Sequence, residues 1–367
     1  MGDAMDEVTC GYASRFTIVK RRGLYYADLP ADHYLVPPPG EVAGLRFRTP
    51  LPPRIREFQA CHAHDALLLG QRAYVSSDGF FVDESMNPTF SWAAYRHPFG
   101  ECGRHEEYGA RFGEAGVVLN LPAAAEVIEE PLVSLASAEP SNYGSWIFRV
   151  IPKLVGWDDW RGRGVLAYQN SAWMGNLLRF CFGEELRVVP HWPHLHYRLR
   201  DVVIPAMRNQ ESYLDQETLE FYRDRAAAVP GHSALERVYL SRTGQAIRPL
   251  ANEGELIAAL AAHGFAIVAP EALALADQVR VVRDARVLVV PGGSGLFNAV
   301  FAASAAFVLD IEPGREWLLP HHSLLRSCAL PHGILFGERL DDSGPHAPWR
   351  VDVAQVIATL RAAGAVA

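Results

Sequence analysis

Three segments in the second half of the chain combine residue types suited to holding an anion. PGGSGLFN (residues 291–298) runs from an apolar stretch into a glycine turn and then a helix start. Glycine lets backbone approach a ligand closely, and the unpaired N–H groups and dipole of a helix start favour a pyrophosphate. Gly292, Gly293, Ser294, Gly295 and Asn298 are the candidates here. The turn has neither G-x-G-x-x-G spacing nor the Lys-Ser/Thr of a P-loop, which disfavours a nicotinamide enzyme or a nucleoside triphosphatase. SRTGQAIR (241–248) adds Ser241, Arg242 and Arg248; two guanidiniums on one loop can clamp phosphates bidentately. VLDIEP (308–313) supplies Asp310 and Glu312, which share one side of a strand and can accept hydrogen bonds from a ribose diol. Each segment also has a plain reading, as tight turn, solvated loop or helix cap.

The first half offers bases. HAHD (62–65) puts His62, His64 and Asp65 close together; on a strand the two imidazoles share a face, and Asp65 can orient one of them. An ordinary polar turn is the alternative. HWPHLHY (191–197) has three histidines among aromatics. Metal ligands normally come from more than one segment, however, and Pro193 makes the backbone irregular, so no metal site is assigned. His321 and His322 follow VLDIEP and stand as groups able to touch a substrate. Trp146, Trp157, Trp160 and Trp173 have faces on which a sugar can stack, although most tryptophans are core residues.

The elements that must position these residues are clearest after residue 206. Residues 211–230 read as a charged helix, and RVYLSR (237–242) as a strand. Asn252 to His263 reads as a helix with Asn252 and Glu255 at N-cap and N3 and Gly264 past its end. FAIVAP (265–270) is a short strand. Leu275, Val279 and Val282 mark the apolar face of the next helix. RVLVVP (286–291) and FVLDIEP (307–313) are further strands. Four strands alternating with three helices predict a parallel sheet with right-handed crossovers. In such sheets ligands bind at the carboxyl ends of the strands, where the three candidate segments fall. The first half is more irregular. Strand-like runs at Phe16–Val19, Ala66–Leu69 and Ala73–Val75 are separated by proline-rich breaks at 36–40 and 49–54. From 116 onward come a strand (116–121), a loop entering a helix (138–154, capped by Ser141 or Asn142), a strand (165–169), a helix near 172–182 and a strand (186–190).

Composition limits the function classes. The chain has 367 residues, about two domains on the usual length prior, with 49% hydrophobic residues and a net charge of −8. It can fill large cores, and no broad basic face for nucleic acid is expected. Only Lys20 and Lys153 are lysine, so 32 of the 34 basic residues are arginine. This bias reads as genomic, and becomes functional only where an arginine lands in a phosphate site. Five scattered cysteines (Cys10, Cys61, Cys102, Cys181, Cys328), none in C-x-x-C spacing, read as reduced thiols of a cytoplasmic protein. The acidic N-terminus has no apolar run and is not read as a signal peptide. No run is long enough to span a bilayer.

Taken in order, YLSR…R…NEGEL…LAAHGF…VAPEALALADQVRVVRDARVLVVPGGSGLFNAVF…VLDIEP resembles the C-terminal half of glycosyltransferase family 61, from about Val238 to Pro313. A weaker likeness extends over residues 321–338, and SNYGSWIFRVIPKL (141–154) is similar to the family's Asn-aromatic-x-His-Trp segment. The resemblance implies an α/β, GT-B-like fold of two Rossmann-like domains facing a cleft. Residues 1–205 would be the acceptor side, 206–340 the nucleotide-sugar-binding half, and 341–367 a helix packing back on the first domain. It implies inverting, metal-independent transfer of a hexosyl or pentosyl group from a nucleotide sugar, usually UDP-linked, to a hydroxyl, as in polysaccharide biosynthesis. No cofactor is implied beyond the donor substrate. The acceptor would be a glycan, a lipid-linked glycan or a small molecule, and peripheral membrane or homodimer association stays open. Arg242, Arg248, Asn252, Glu253, Gln278, Gly293, Asn298 and Asp310 match the family's positions. Arg242 is the first choice for the diphosphate, and Asn142, Ser145 and Trp146 fall on the acceptor side. Two departures stand out: the family's His-Gly is Gly292-Gly293, and the His of the Asn-aromatic-x-His-Trp segment is Ser145. The base must then come from elsewhere, His62, His64 and Asp65 being the candidates, or the chain is a non-catalytic nucleotide- or glycan-binding relative. A His-dependent metalloenzyme is the third alternative.

Overall fold

The computed structural model describes residues 6–13, 15–25, 55–86, 90–92, 111–158, 160–208, 213–303, 306–314 and 316–367. The proline-rich breaks at 36–40 and 49–54, and Cys102, lie outside the described residues. The chain divides into two compact units, Met1–Leu24 with Ile55–Arg208 and Tyr25–Arg54 with Asn209–Ala367.

The first unit is built on a nine-stranded sheet. One part is parallel: Leu132–Ser134 pairs with Gly164–Tyr168 and with Tyr197–Pro205, and Gly164–Tyr168 pairs with Val188–His191. Glu126–Ile128 also runs parallel to Tyr197–Pro205, whereas the 15-residue strand Ile55–Leu69 runs against Tyr197–Pro205 and continues antiparallel into Ala73–Ser76 and Gly79–Val82. The expectation of a Rossmann-like first half is therefore corrected: its sheet is mixed, since tight turns such as the one at Gly70 (φ 57°) join neighbouring strands directly. A second, three-stranded sheet pairs Asp6–Gly11, Gly116–Leu121 and Arg111–Phe112.

The second unit is the regular one. Strands β1 (Arg237–Leu240), β2 (Ala266–Val268), β3 (Val287–Pro291), β4 (Phe307–Glu312) and β5 (His332–Phe336) form an all-parallel sheet in the order β2-β1-β3-β4-β5. The helices are α1 (Gln216–Ala227), α2 (Glu253–Ala262), α3 (Leu275–Asp284), α4 (Leu318–Ser327) and α5 (Val353–Ala362). A 3₁₀ helix, Ser294–Phe301, follows β3. The caps match local chemistry: Asp215 accepts from the Thr218 N–H at α1, and Asp352 from the Gln355 N–H at α5.

One face of this sheet (Tyr239, Val287, Val289, Leu309, Ile311 and Leu335) packs on α2 and α5 through Leu256, Leu260, Val356, Ile357 and Leu360. Alternation along β4 therefore sends Asp310 and Glu312 to the opposite face. The C-terminal helix belongs to the second unit, where the sequence reading had it cross onto the first. The reason is local: the Trp349 N–H donates to Pro249 O, the Ala251 N–H to Trp349 O, and Trp349 is fully buried in the same core. Among the described residues no helix is long and apolar enough to cross a membrane, and the four described cysteines form no disulfide with one another.

Candidate active site

The strand order reverses direction between β1 and β3: the chain leaves β1 towards β2 on one side and β3 towards β4 on the other. A crevice at the carboxyl ends of two such strands is where open α/β sheets take ligands. Ser241 and Arg242 follow β1, and Gly292 and Gly293 follow β3, so topology brings together two segments about fifty residues apart in sequence.

Arg242 is tightly held. Its backbone N–H donates to Glu253 Oε1 (2.6 Å), and its guanidinium donates to the carbonyls of Gly292 (3.1 Å) and Ile247 (2.8 Å). Glu253 Oε1 also receives the Tyr239 hydroxyl (2.9 Å) and lies 2.9 Å from Ser241 Oγ. Arg248 adopts a left-handed backbone (φ 55°), its carbonyl accepts from the Trp349 indole, and its guanidinium lies 3.9 Å over the Trp317 ring. Both guanidiniums close on Gly293. A Cβ there would come within 2.3 Å of Arg242 Nη1 and 3.4 Å of Arg248 Nη2, and the backbone, at φ 145°, is one only glycine adopts readily. Burial lowers both arginines from their usual range. Glu253 opposes this at Arg242, while at Arg248 the nearby Arg242 adds to the fall, to about 10. Arg242 Nε and Arg248 Nε and Nη1 are buried with no hydrogen-bond partner among the described residues. Two desolvated, partly unsatisfied cations around a glycine turn have the chemistry to hold a multiply charged anion.

On the other side of the turn lie the carboxylates. A Cβ on Gly292 would meet Glu312 Oε2 at 2.8 Å. Asp310 and Glu312 are fully buried, and so is His321 on α4. His321 Nδ1 is 2.5 Å from Glu312 Oε1 and 3.6 Å from Asp310 Oδ2. Burial would lower the imidazole, but the Glu312 and Asp310 carboxylates outweigh it and raise it to about 10. Burial and the like charge of Glu312 raise Asp310 to about 7. His321 was visible in the sequence, but its role needs α4 folded back beside β4, which no local spacing encodes.

Other sequence candidates fall elsewhere. Asn252 makes no side-chain cap; its amide donates to Val351 O (2.8 Å) and accepts from the Val351 N–H (3.0 Å), tying α2 to the start of α5. Buried Asn298 donates to Gly295 O (3.0 Å) inside the 3₁₀ helix that Ser294 opens. Asn142 caps the turn at 143–145, the Ser145 hydroxyl donates to Glu139, and buried Trp146 donates to Pro140 O. Trp146 thus offers no stacking face, and neither do buried Trp157 and Trp160.

In the first unit His62 and His64 do share a face, their rings 4.3 Å apart. Asp65 does not orient them, because it pairs with Arg200. Asp201 does so instead: its Oδ1 is 2.6 Å from His62 Nε2 and accepts from Arg163 (2.9 Å). Asp201 and Arg163 escaped the sequence reading because their pairing depends on strand register. His191, with Nε2 2.9 Å from Gly70 O, is a buried structural residue. Among the described residues the groups able to converge on an ion are His62/His64/Asp201 and Asp310/Glu312/His321, so HWPHLHY supplies none.

A parallel α/β unit with two buried arginines closing on a glycine turn at its topological switch point defines the class of open α/β folds whose ligand crevice lies at the strand ends. Within that class, residues 143–309 match the family model of Glycosyltransferase 61, which supports glycosyltransferase family 61 and, with it, glycosyltransferase activity. The span contains Ser145, Trp146, Arg242, Arg248, Gly292, Gly293 and Asn298. Comparison with curated protein sequences gives no significant match.

Proposed function

We propose that the second unit binds the diphosphate of a nucleotide sugar, UDP-linked, and that the protein transfers the sugar to an acceptor hydroxyl with inversion. The observation that carries this is the convergence of Arg242 and Arg248 on Gly293 at the strand switch. Negative charge grows on the diphosphate as the glycosidic bond breaks, and guanidiniums already fixed and desolvated stabilise it without reorganising. Inversion is one displacement: the acceptor oxygen forms its bond to the anomeric carbon as the diphosphate leaves from the opposite face. A base must take the acceptor proton. In this reading the second unit carries the donor half of the reaction. A glycan-building role fits the family match, and a cytoplasmic setting fits the scattered cysteines without C-x-x-C spacing.

The test is calorimetric titration with UDP and with UDP-, GDP-, CMP- and dTDP-sugars, followed by transfer assays. Arg242→Ala should weaken UDP binding by about tenfold to a hundredfold, the range for a hydrogen bond to a charged group. Unchanged affinity would remove the diphosphate assignment. A second reading, a binding protein without turnover, draws on the contact at Gly292, where Glu312 occupies the space a side chain would need. UDP binding with no transfer across an acceptor panel would favour it.

A further inference from the structure

Unsatisfied groups of both signs meet at the Gly292–Gly293 turn. On one side Arg242 Nε and Arg248 Nε and Nη1 are buried donors without a hydrogen-bond partner among the described residues; on the other, Asp310 Oδ1 and Oδ2 and Glu312 Oε2 are buried acceptors in the same condition. The two sets do not satisfy each other, since the Arg248 guanidinium lies over Trp317 and Arg242 is turned to the carbonyls of Gly292 and Ile247. An anion would answer the arginines, while the carboxylates share a single His321 imidazole, which leaves three of their four oxygens without a hydrogen bond among the described residues. We propose that Asp310, Glu312 and His321 hold a divalent cation that bridges to the diphosphate gripped by Arg242 and Arg248.

The donor set fits. One carboxylate oxygen from each of Asp310 and Glu312 and one imidazole nitrogen of His321 lie within 4.8 Å of one another. Two of these groups leave β4 on the same face, and the third comes from α4, so two elements converge as ligand sets require. Phe297 meets the His321 ring edge-on at 5.9 Å and fixes its plane. His321 Nδ1 already points at Glu312 Oε1, and a cation takes the place of the proton between them. Two carboxylates with one imidazole, completed by phosphate oxygens, suit Mn²⁺ among the common divalent ions. Asp310-x-Glu312 thereby does for this chain what the resemblance led one not to expect, a role for metal. The bridging half rests on the donor reading above; the cation half does not.

The experiment uses the full chain, untagged and stripped with EDTA, titrated with Mn²⁺ and followed by electron paramagnetic resonance with and without UDP. The expected result is one Mn²⁺ per chain with hyperfine coupling to an imidazole nitrogen, and a phosphorus coupling once UDP is added. UDP should tighten Mn²⁺ at least about tenfold, and Mn²⁺ should tighten UDP by the same factor. Asp310→Asn and Glu312→Gln should abolish Mn²⁺ binding, while Arg242→Ala should keep Mn²⁺ and weaken UDP by the factor given above. Because the two buried variants can fail to fold, the wild-type spectra decide alone. No binding at millimolar Mn²⁺, or bound Mn²⁺ without nitrogen coupling, overturns the cation site. UDP binding indifferent to Mn²⁺ overturns the bridge and leaves the donor reading intact. Mn²⁺ bound as expected with no affinity for UDP supports the cation site and overturns the bridge with the donor reading.

Discussion

At position 293 one hydrogen in place of a methyl group decides whether two arginines can meet. Gly293→Ala should cost roughly 1–3 kcal/mol for a strained backbone and should also push Arg242 away from the Gly292 carbonyl. The expected outcome is a lower urea midpoint together with weakened UDP binding. A variant that loses stability but binds UDP normally would show that the glycine serves only the turn. Asn252 is the contrasting case. The resemblance placed it with the donor residues, whereas both ends of its amide are spent on Val351. Asn252→Ala removes two neutral hydrogen bonds, so a loss of about 1–2 kcal/mol is expected, with UDP affinity unchanged. If affinity falls and stability does not, Asn252 belongs to the donor site after all.

At the scale of elements, what the sequence showed and what it hid have separate physical causes. The strands of the second unit are short apolar runs punctuated by glycine and charged helices, so periodicity alone located β1 to β4, and their spacing required parallel pairing. The residues after β1 and β3 were legible for the same reason, because strand ends are where such sheets present side chains. Strand order was not legible; it is set by which helix covers which face, and it decides that Arg242 and Gly293 are neighbours. Asp201 beside His62, and His321 beside Glu312, stayed hidden for the same reason. The buried Lys153 shows another limit. Its ammonium lies 2.8 Å from Asp83 Oδ2 and donates to Ala136 O (2.7 Å), and burial lowers its pKa despite Asp83. From the sequence it was only one of two lysines. Lys153→Met leaves Asp83 inside with Arg72 at 3.7 Å as its remaining counter-ion. A loss of about 3–5 kcal/mol is expected in denaturant melts, and a change under about 1 kcal/mol would mean Arg72 compensates fully.

At the scale of the whole molecule, pH acts through buried histidine. Burial lowers His191 from 6.5 to about 4, with the Gly70 carbonyl opposing it. Between those values the unfolded chain takes up a proton that the folded one refuses, so stability falls as pH drops through that window and is level above it. The full difference is about 3 kcal/mol at about 1.4 kcal/mol per unit. His191→Gln should flatten this part of the curve in urea titrations across the same window. An unchanged slope in that variant would assign the acid sensitivity to other groups.

The placement of Trp349 and α5 bears on how the protein is made. Trp349, Val351, Val356, Ile357 and Leu360 complete the core that β1, β3 and β4 present on one face. Synthesis runs from the N-terminus, and domains generally fold as units as they emerge. The first unit can therefore close while the ribosome is still translating, but the second waits, with its apolar sheet face uncovered, until Trp349 and α5 have emerged. A nonsense codon anywhere before Trp349 would leave that face exposed for good, and the truncated product is expected in the insoluble fraction rather than as a trimmed but working enzyme.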